Sequence, residues 1–204
     1  MATTAAPYGL KPVNLIGGQP YAGSTRQIKI ASGYATNIFN GSIVQIGTAG
    51  TVELMVSLGS AADPFDAGTV GVFVGCSYTD PNTKQKLFSQ YWPSGTVASD
   101  AVAYVVDDPD CVFQVQADGA MAQTTLGANV PLAEVQSTST GSTTTGNSDI
   151  AVDASAYAST SGISLRVVDF VSSTTSTVGD TYTDVLVKFN PDAHSYLNKT
   201  GVGD

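Results

Sequence analysis

Short β-rich runs recur along this chain at a spacing of roughly ten residues, each bounded by glycine, proline, asparagine or aspartate, and that rhythm constrains the fold more than any other feature. RQIKIA at 26–31 alternates polar and apolar residues, as a half-buried strand does. SIVQIG at 42–47 and VELMVSL at 52–58 flank a glycine-containing connection suited to a hairpin. TVGVFVGCSY at 69–78 is more continuously apolar, with Gly71 and Gly75 as positions for bulges or close backbone approach. After the turn DPNT come KLFSQYW at 86–92, AVAYVV at 101–106, CVFQVQ at 111–116, ISLRVVDF at 163–170 and YTDVLVKF at 182–189. In the last run Tyr182, Val185, Val187 and Phe189 are expected on the apolar side, with Asp184 and Lys188 opposite.

About nine strands at this spacing predict an all-β fold, a single β-sandwich or barrel-like domain over residues 23–190. Helix is expected to be at most one short segment, DIAVDASAYAS at 149–159, whose leading aspartate could cap it. QSTSTGSTTTGNSD at 136–149 has no apolar anchor and reads as a mobile Ser/Thr/Gly loop. Residues 191–204 read as a polar C-terminal tail.

Residues 1–22 read as an extended arm, because Pro7, Pro12 and Pro20 recur among Gly9, Gly17 and Gly18 and oppose any helix or long strand. Tyr8, Leu10, Val13, Leu15, Ile16 and Tyr21 make the arm too apolar for a solvated tail. It is expected to dock, either on an edge of its own sheet or on another subunit or partner.

Eight Lys and Arg against seventeen Asp and Glu give a formal charge of −9. Charged residues are only 12% of the chain, about half the roughly 25% usual for globular proteins, so solubility rests on hydroxyls and amides. The shortage of cations argues against nucleic acid and against an anionic membrane surface as partners. The N-terminus lacks a basic segment followed by an apolar run, so synthesis in a cytosol is expected. No run reaches 18 apolar residues. In a reducing compartment Cys76 and Cys111 are expected as buried free thiols rather than a disulfide.

Catalytic and metal constellations find little support. Asp107, Asp108 and Asp110 crowd together, but Pro109 intervenes and the spacing is not that of an EF-hand loop; a turn between strands is the simpler reading. Asp107 and Asp108, being adjacent, would point to opposite strand faces, so no glycosidase carboxylate pair is marked. The single histidine, His194, lies in the tail and reads as solvated, and no G-x-S-x-G elbow or phosphate-binding loop occurs. Of Tyr91 and Trp92, only one can face a sugar ligand. No catalytic residue, cofactor or metal site is expected.

The segments APYGLKPVNLIGGQPYAGSTRQI, SQYWPSGT and AYVVDDPDCVFQVQADG, spanning about residues 6–119, resemble the small structural proteins encoded beside the major capsid protein in short-tailed phages of cyanobacteria and marine bacteria. Those proteins are regarded as capsid cement, or decoration, proteins. The resemblance implies a non-enzymatic β-rich homotrimer on the outer surface of an icosahedral head, made in the host cytoplasm and bridging capsomers of the major capsid protein. Tyr8, Leu10, Leu15, Ile16 and Tyr21 are the candidate capsid or subunit contacts, chosen for their expected exposure in the arm. The alternative is a carbohydrate-binding or adhesin module of a phage tail or surface, using Tyr91, Trp92 or the Ser/Thr loop.

Overall fold

Thr69–Thr79 carries apolar side chains on both of its faces, so both must be covered, and the fold is organised around that demand. The structure, a computed structural model, describes residues 4–173 and 176–202. Among them are eleven strands: β1 (Lys11–Leu15), β2 (Arg26–Lys29), β3 (Ile43–Ile46), β4 (Val52–Leu54), β5 (Thr69–Thr79), β6 (Lys86–Ser89), β7 (Val102–Val106), β8 (Cys111–Gln116), β9 (Asn129–Val130), β10 (Leu165–Phe170) and β11 (Asp184–Phe189). They pair antiparallel in two sheets, one ordered β1-β8-β11-β10-β9 and the other β2-β7-β5-β3-β4, with β6 pairing to the far half of β5.

The first core lies between the sheets. Phe113 and Val115 of β8, Leu165 and Val167 of β10, and Val185, Val187 and Phe189 of β11 meet Ile43, Val72 and Val106 from the second sheet. A second core covers that sheet's other face, where Val44, Val70, Phe73, Cys76, Ala103 and Val105 lie under Ile38, Trp92, Ala98 and Ala101. Trp92 is 0% exposed and meets Tyr78 edge-on at 5.4 Å. The result is the expected all-β sandwich with a further layer made of connecting segments. Gly71 lets the middle strand through: its φ is +148°, and a β-carbon there would lie 2.0 Å from the Val106 carbonyl oxygen. The ladder slips beside Gly71 and at Gly75, as expected of these glycines.

All nine expected strands are present, and β1 and β9 are additional. Several boundaries differ from the sequence reading. The arm is not merely extended, because Lys11–Leu15 pairs with β8 as an edge strand of the first sheet. Pro12 is tolerated there because an edge strand need not donate on both sides, and the register slips between Pro12 and Asn14. On β11 the inward row is Thr183, Val185, Val187 and Phe189; Tyr182, one residue out of phase, is not part of it.

The segment 149–159 is not helical. Val152 bridges Ala117 and Leu132, Ile150 and Val152 are buried, and Asp153 accepts the Ser155 and Ala156 N–H groups in a turn that competes with helix. Segment 136–149 is anchored, through polar groups rather than apolar ones. The buried Gln136 amide accepts the Ile43 N–H at 2.9 Å and donates to the Ile43 and Met55 carbonyls at 3.0 and 2.7 Å. Asn40 and Asn147 form a bridge at its other end.

Leu10 is 1% exposed and belongs to the core between the sheets. Leu10→Ala is expected to destabilise the fold by about 2–5 kcal/mol, read from chemical unfolding curves; a change under about 0.5 kcal/mol would show that the arm does not belong to the domain.

Candidate functional site

The side chains with chemical reach are committed to the fold. His194 is 1% exposed rather than solvated, because the tail folds back: the Ser195 N–H donates to the Thr69 carbonyl at 2.7 Å and the Asn198 amide to the Ala67 carbonyl at 3.0 Å. His194 Nδ1 accepts the Tyr196 N–H at 3.2 Å, and its ring stands edge-on between Phe189 and Tyr196. Burial holds the imidazole below the usual histidine range; nearby Asp107 and Asp108 oppose this, and Lys188 reinforces it. Cys76 and Cys111 are free and buried, and burial pushes both thiols up to about 12. Such thiols are poor nucleophiles and poor metal ligands.

The acidic cluster is a turn. Asp108 accepts the Asp110 N–H at 2.8 Å, its carbonyl accepts the Cys111 N–H at 3.0 Å, and Asp110 lies 3.3 Å from the Lys188 ammonium. Asp107 accepts from Arg26 and from the Tyr196 hydroxyl, which ties the tail to β2. The Tyr196 phenol is pushed up to about 12, first by burial and then by that bond. The aromatic pair expected to offer one ring to a sugar offers little: Trp92 is in the core and Tyr91 stacks on Phe39 at 5.6 Å.

Of the five arm residues expected as contacts, most are turned inward. Leu10 is in the core, and Leu15 and Tyr21 pack partly buried against it. Tyr8 lies half-buried, its hydroxyl donating to Asp184 at 3.1 Å, and burial and that carboxylate hold its phenol well above the usual tyrosine range. Ile16 alone is open, 52% exposed at the tip of a tight turn where the Gly18 N–H donates to the Leu15 carbonyl at 2.9 Å. The arm therefore docks on its own sheet, which satisfies Leu10, Leu15 and Tyr21 and leaves Val13 and Ile16 exposed. Their sequence pattern could not separate the two outcomes.

A further open surface lies at the far end of the second sheet. The first sheet does not reach the far end of the second, and the uncovered inner face there is built by β2, β7, β5 and β6. Along β5 the row on this face runs from buried Val72 through half-buried Val74 to Ser77, whose Oγ accepts the Tyr104 hydroxyl at 3.1 Å. Register sets Gln27 beside Tyr104, Lys29 beside Val102, and Phe88 beside Ser77. Phe88 is 77% exposed, the most exposed of the large apolar side chains among the described residues. Its strand, β6, pairs only with β5 and so presents a free edge.

This face is neutral to basic on an acidic protein. Lys29 makes no ion pair among the described residues, and the one acid bound at the face, Asp100, is matched by Lys86 at 2.9 Å. That ammonium, with the Thr79 N–H and hydroxyl, holds Asp100 well below the usual carboxylate range. Sequence reasoning found β6 but not its exposure. The available signal was Leu87 and Phe88 in succession, which must put one large apolar side chain on each face of a strand flanked by Lys84 and Lys86. Among the described residues no helix is long and apolar enough to cross a membrane. No family model, no curated protein and no solved structure matches the chain.

Because the native His194 pKa lies below the unfolded value of about 6.5, the unfolded chain binds the proton first as pH falls. Stability should thus be lost as pH drops below about 6.5, until the native pKa is passed. His194→Asn, which cannot titrate, should flatten that part of the curve of unfolding free energy against pH. Parallel curves for the two proteins would refute the assignment.

Proposed function

We propose that this protein is a capsid decoration protein, binding the outer surface of an icosahedral phage head and stabilising contacts between capsomers. Its partners on this reading are the major capsid protein and two further copies of itself, and it works without a cofactor. The observation that carries the proposal is Phe88, an aromatic side chain 77% exposed on an unpaired edge strand beside a neutral to basic sheet face. Docked against a partner, such a ring would bury a large apolar area, and the free edge beside it offers unpaired backbone groups to the same contact.

Burying apolar surface contributes about 25 cal/mol per Å², so one such patch makes a modest joint. Repetition over a symmetric shell makes modest joints cumulative. The net charge of −9 suits the outside of a head and would be repelled by packaged DNA. With Leu10, Leu15 and Tyr21 committed to the protein's own core and Tyr8 bonded to Asp184, the contact set becomes Phe88, with Ile16 exposed on the arm's turn and Val13 exposed on β1.

Phe88→Ser tests this directly. Because the ring touches little of its own chain, unfolding free energy should change by no more than about 0.5 kcal/mol. Binding to undecorated heads of the encoding phage, measured by co-sedimentation, should weaken by about tenfold or more, the loss expected for truncating a buried aromatic anchor. Unaltered binding would remove Phe88 from the interface and with it the main support for the proposal.

A further inference from the structure

A groove of about 550 Å³ opens where the arm crosses the edge of the sandwich, within the roughly 300–1,000 Å³ range of ligand pockets. Its shape comes from a close backbone crossing. The Leu10 N–H donates to the Gly41 carbonyl at 2.9 Å, and a β-carbon on Gly9 would lie 2.7 Å from that same oxygen. Both glycines have positive φ, +74° and +91°, so the crossing is rigid and available only to residues of this kind.

The lining is chemically selective. Val74 and Pro12 supply apolar surface, Tyr8 a ring fixed by its bond to Asp184, and Asn40, Gln114 and Asn147 three carboxamides. The Asn40 side chain is half-buried and makes no hydrogen bond within the described residues, so both its donor and its acceptor are open. Asn147 is oriented by the Gln90 amide, which donates to its Oδ1 at 2.6 Å and leaves its own N–H₂ free. Lys11 sits exposed at the rim without an ion pair among the described residues.

A peptide strand is a poor occupant. The outer side of β1 is already met by the returning arm, with the Tyr21 N–H on the Val13 carbonyl at 3.4 Å, Asn14 bridged to Pro20, and no N–H at Pro12. Carboxamides that both donate and accept, set around a tyrosine ring and an aliphatic floor, match a ligand that alternates hydroxyls with C–H faces. We propose that this groove binds a saccharide, with the Asn40 and Asn147 carboxamides holding its hydroxyls. The inference does not rest on capsid decoration, since the carboxamides it uses, Asn40 and Asn147, are not among the proposed capsid contacts Phe88, Ile16 and Val13.

The test is a nuclear magnetic resonance titration of the isotope-labelled full chain with cellobiose, N,N′-diacetylchitobiose and digalacturonate in turn. At least one should shift the Asn147 side-chain amide signals saturably, with a dissociation constant of about a millimolar. Asn40→Ala, which breaks no bond in the fold, should weaken that binding by about tenfold while leaving the unfolding midpoint in place. A preference for digalacturonate, lost in Lys11→Gln, would further support the site by placing the ligand at the rim lysine. No shift with any of the three sugars, shifts confined to other regions, or equal affinity in Asn40→Ala would overturn the proposal.

Discussion

A β-strand that is apolar on both faces cannot stand at the surface of a two-layer sandwich, and β5 is such a strand. Everything else in this structure answers its requirement. The first sheet covers one side through Phe113, Val187 and Phe189, while Ile38, Trp92 and the segment around Ala98 and Ala101 cover the other. The connections are thus a layer of the protein rather than links between layers. Where the first sheet ends, the same strand continues, and the side chains become smaller or more polar: Val74, Ser77, then the exposed ribbon with β6. The open face is a consequence of how far the cover extends.

Ions contribute little to holding this arrangement, and the polar work falls to amides and hydroxyls. Gln136 acts as a short piece of strand, pairing both backbone groups of Ile43 and one of Met55. Asn129 similarly accepts from Arg166 and Asn190 while donating to the Thr160 carbonyl. Buried polar groups of this kind stabilise only when satisfied, and these are. A chain with 12% charged residues can therefore fix long connections without helices or ion-pair networks.

This explains which parts of the fold were legible in the sequence. Runs such as CVFQVQ and DVLVKF announce themselves through apolar content and period, and all nine were readable. β1 was not, because Pro7, Pro12 and Pro20 mask a strand that tolerates proline only through its edge position. The anchoring of segment 136–149 was not legible because hydropathy gives no weight to a glutamine that buries itself by hydrogen bonding. His194 was misread because a tail's return depends on distant partners, Thr69 and Ala67, that no local pattern reveals. The candidate surface was least legible: whether Phe88 or Leu10 faces solvent is decided by where the first sheet stops, a tertiary fact. The arm's apolar residues fitted docking on their own sheet or on a partner equally well, and for Leu10, Leu15 and Tyr21 the sheet edge supplied the contact.

The functional account turns on whether this surface meets a shell repeatedly or a partner seldom. The copy number of this chain relative to the major capsid protein, measured by quantitative mass spectrometry of purified virions of the encoding phage, addresses that most directly. The account predicts near parity, as expected of a protein seated at every equivalent joint of the head. A handful of copies per virion, or none, would contradict it.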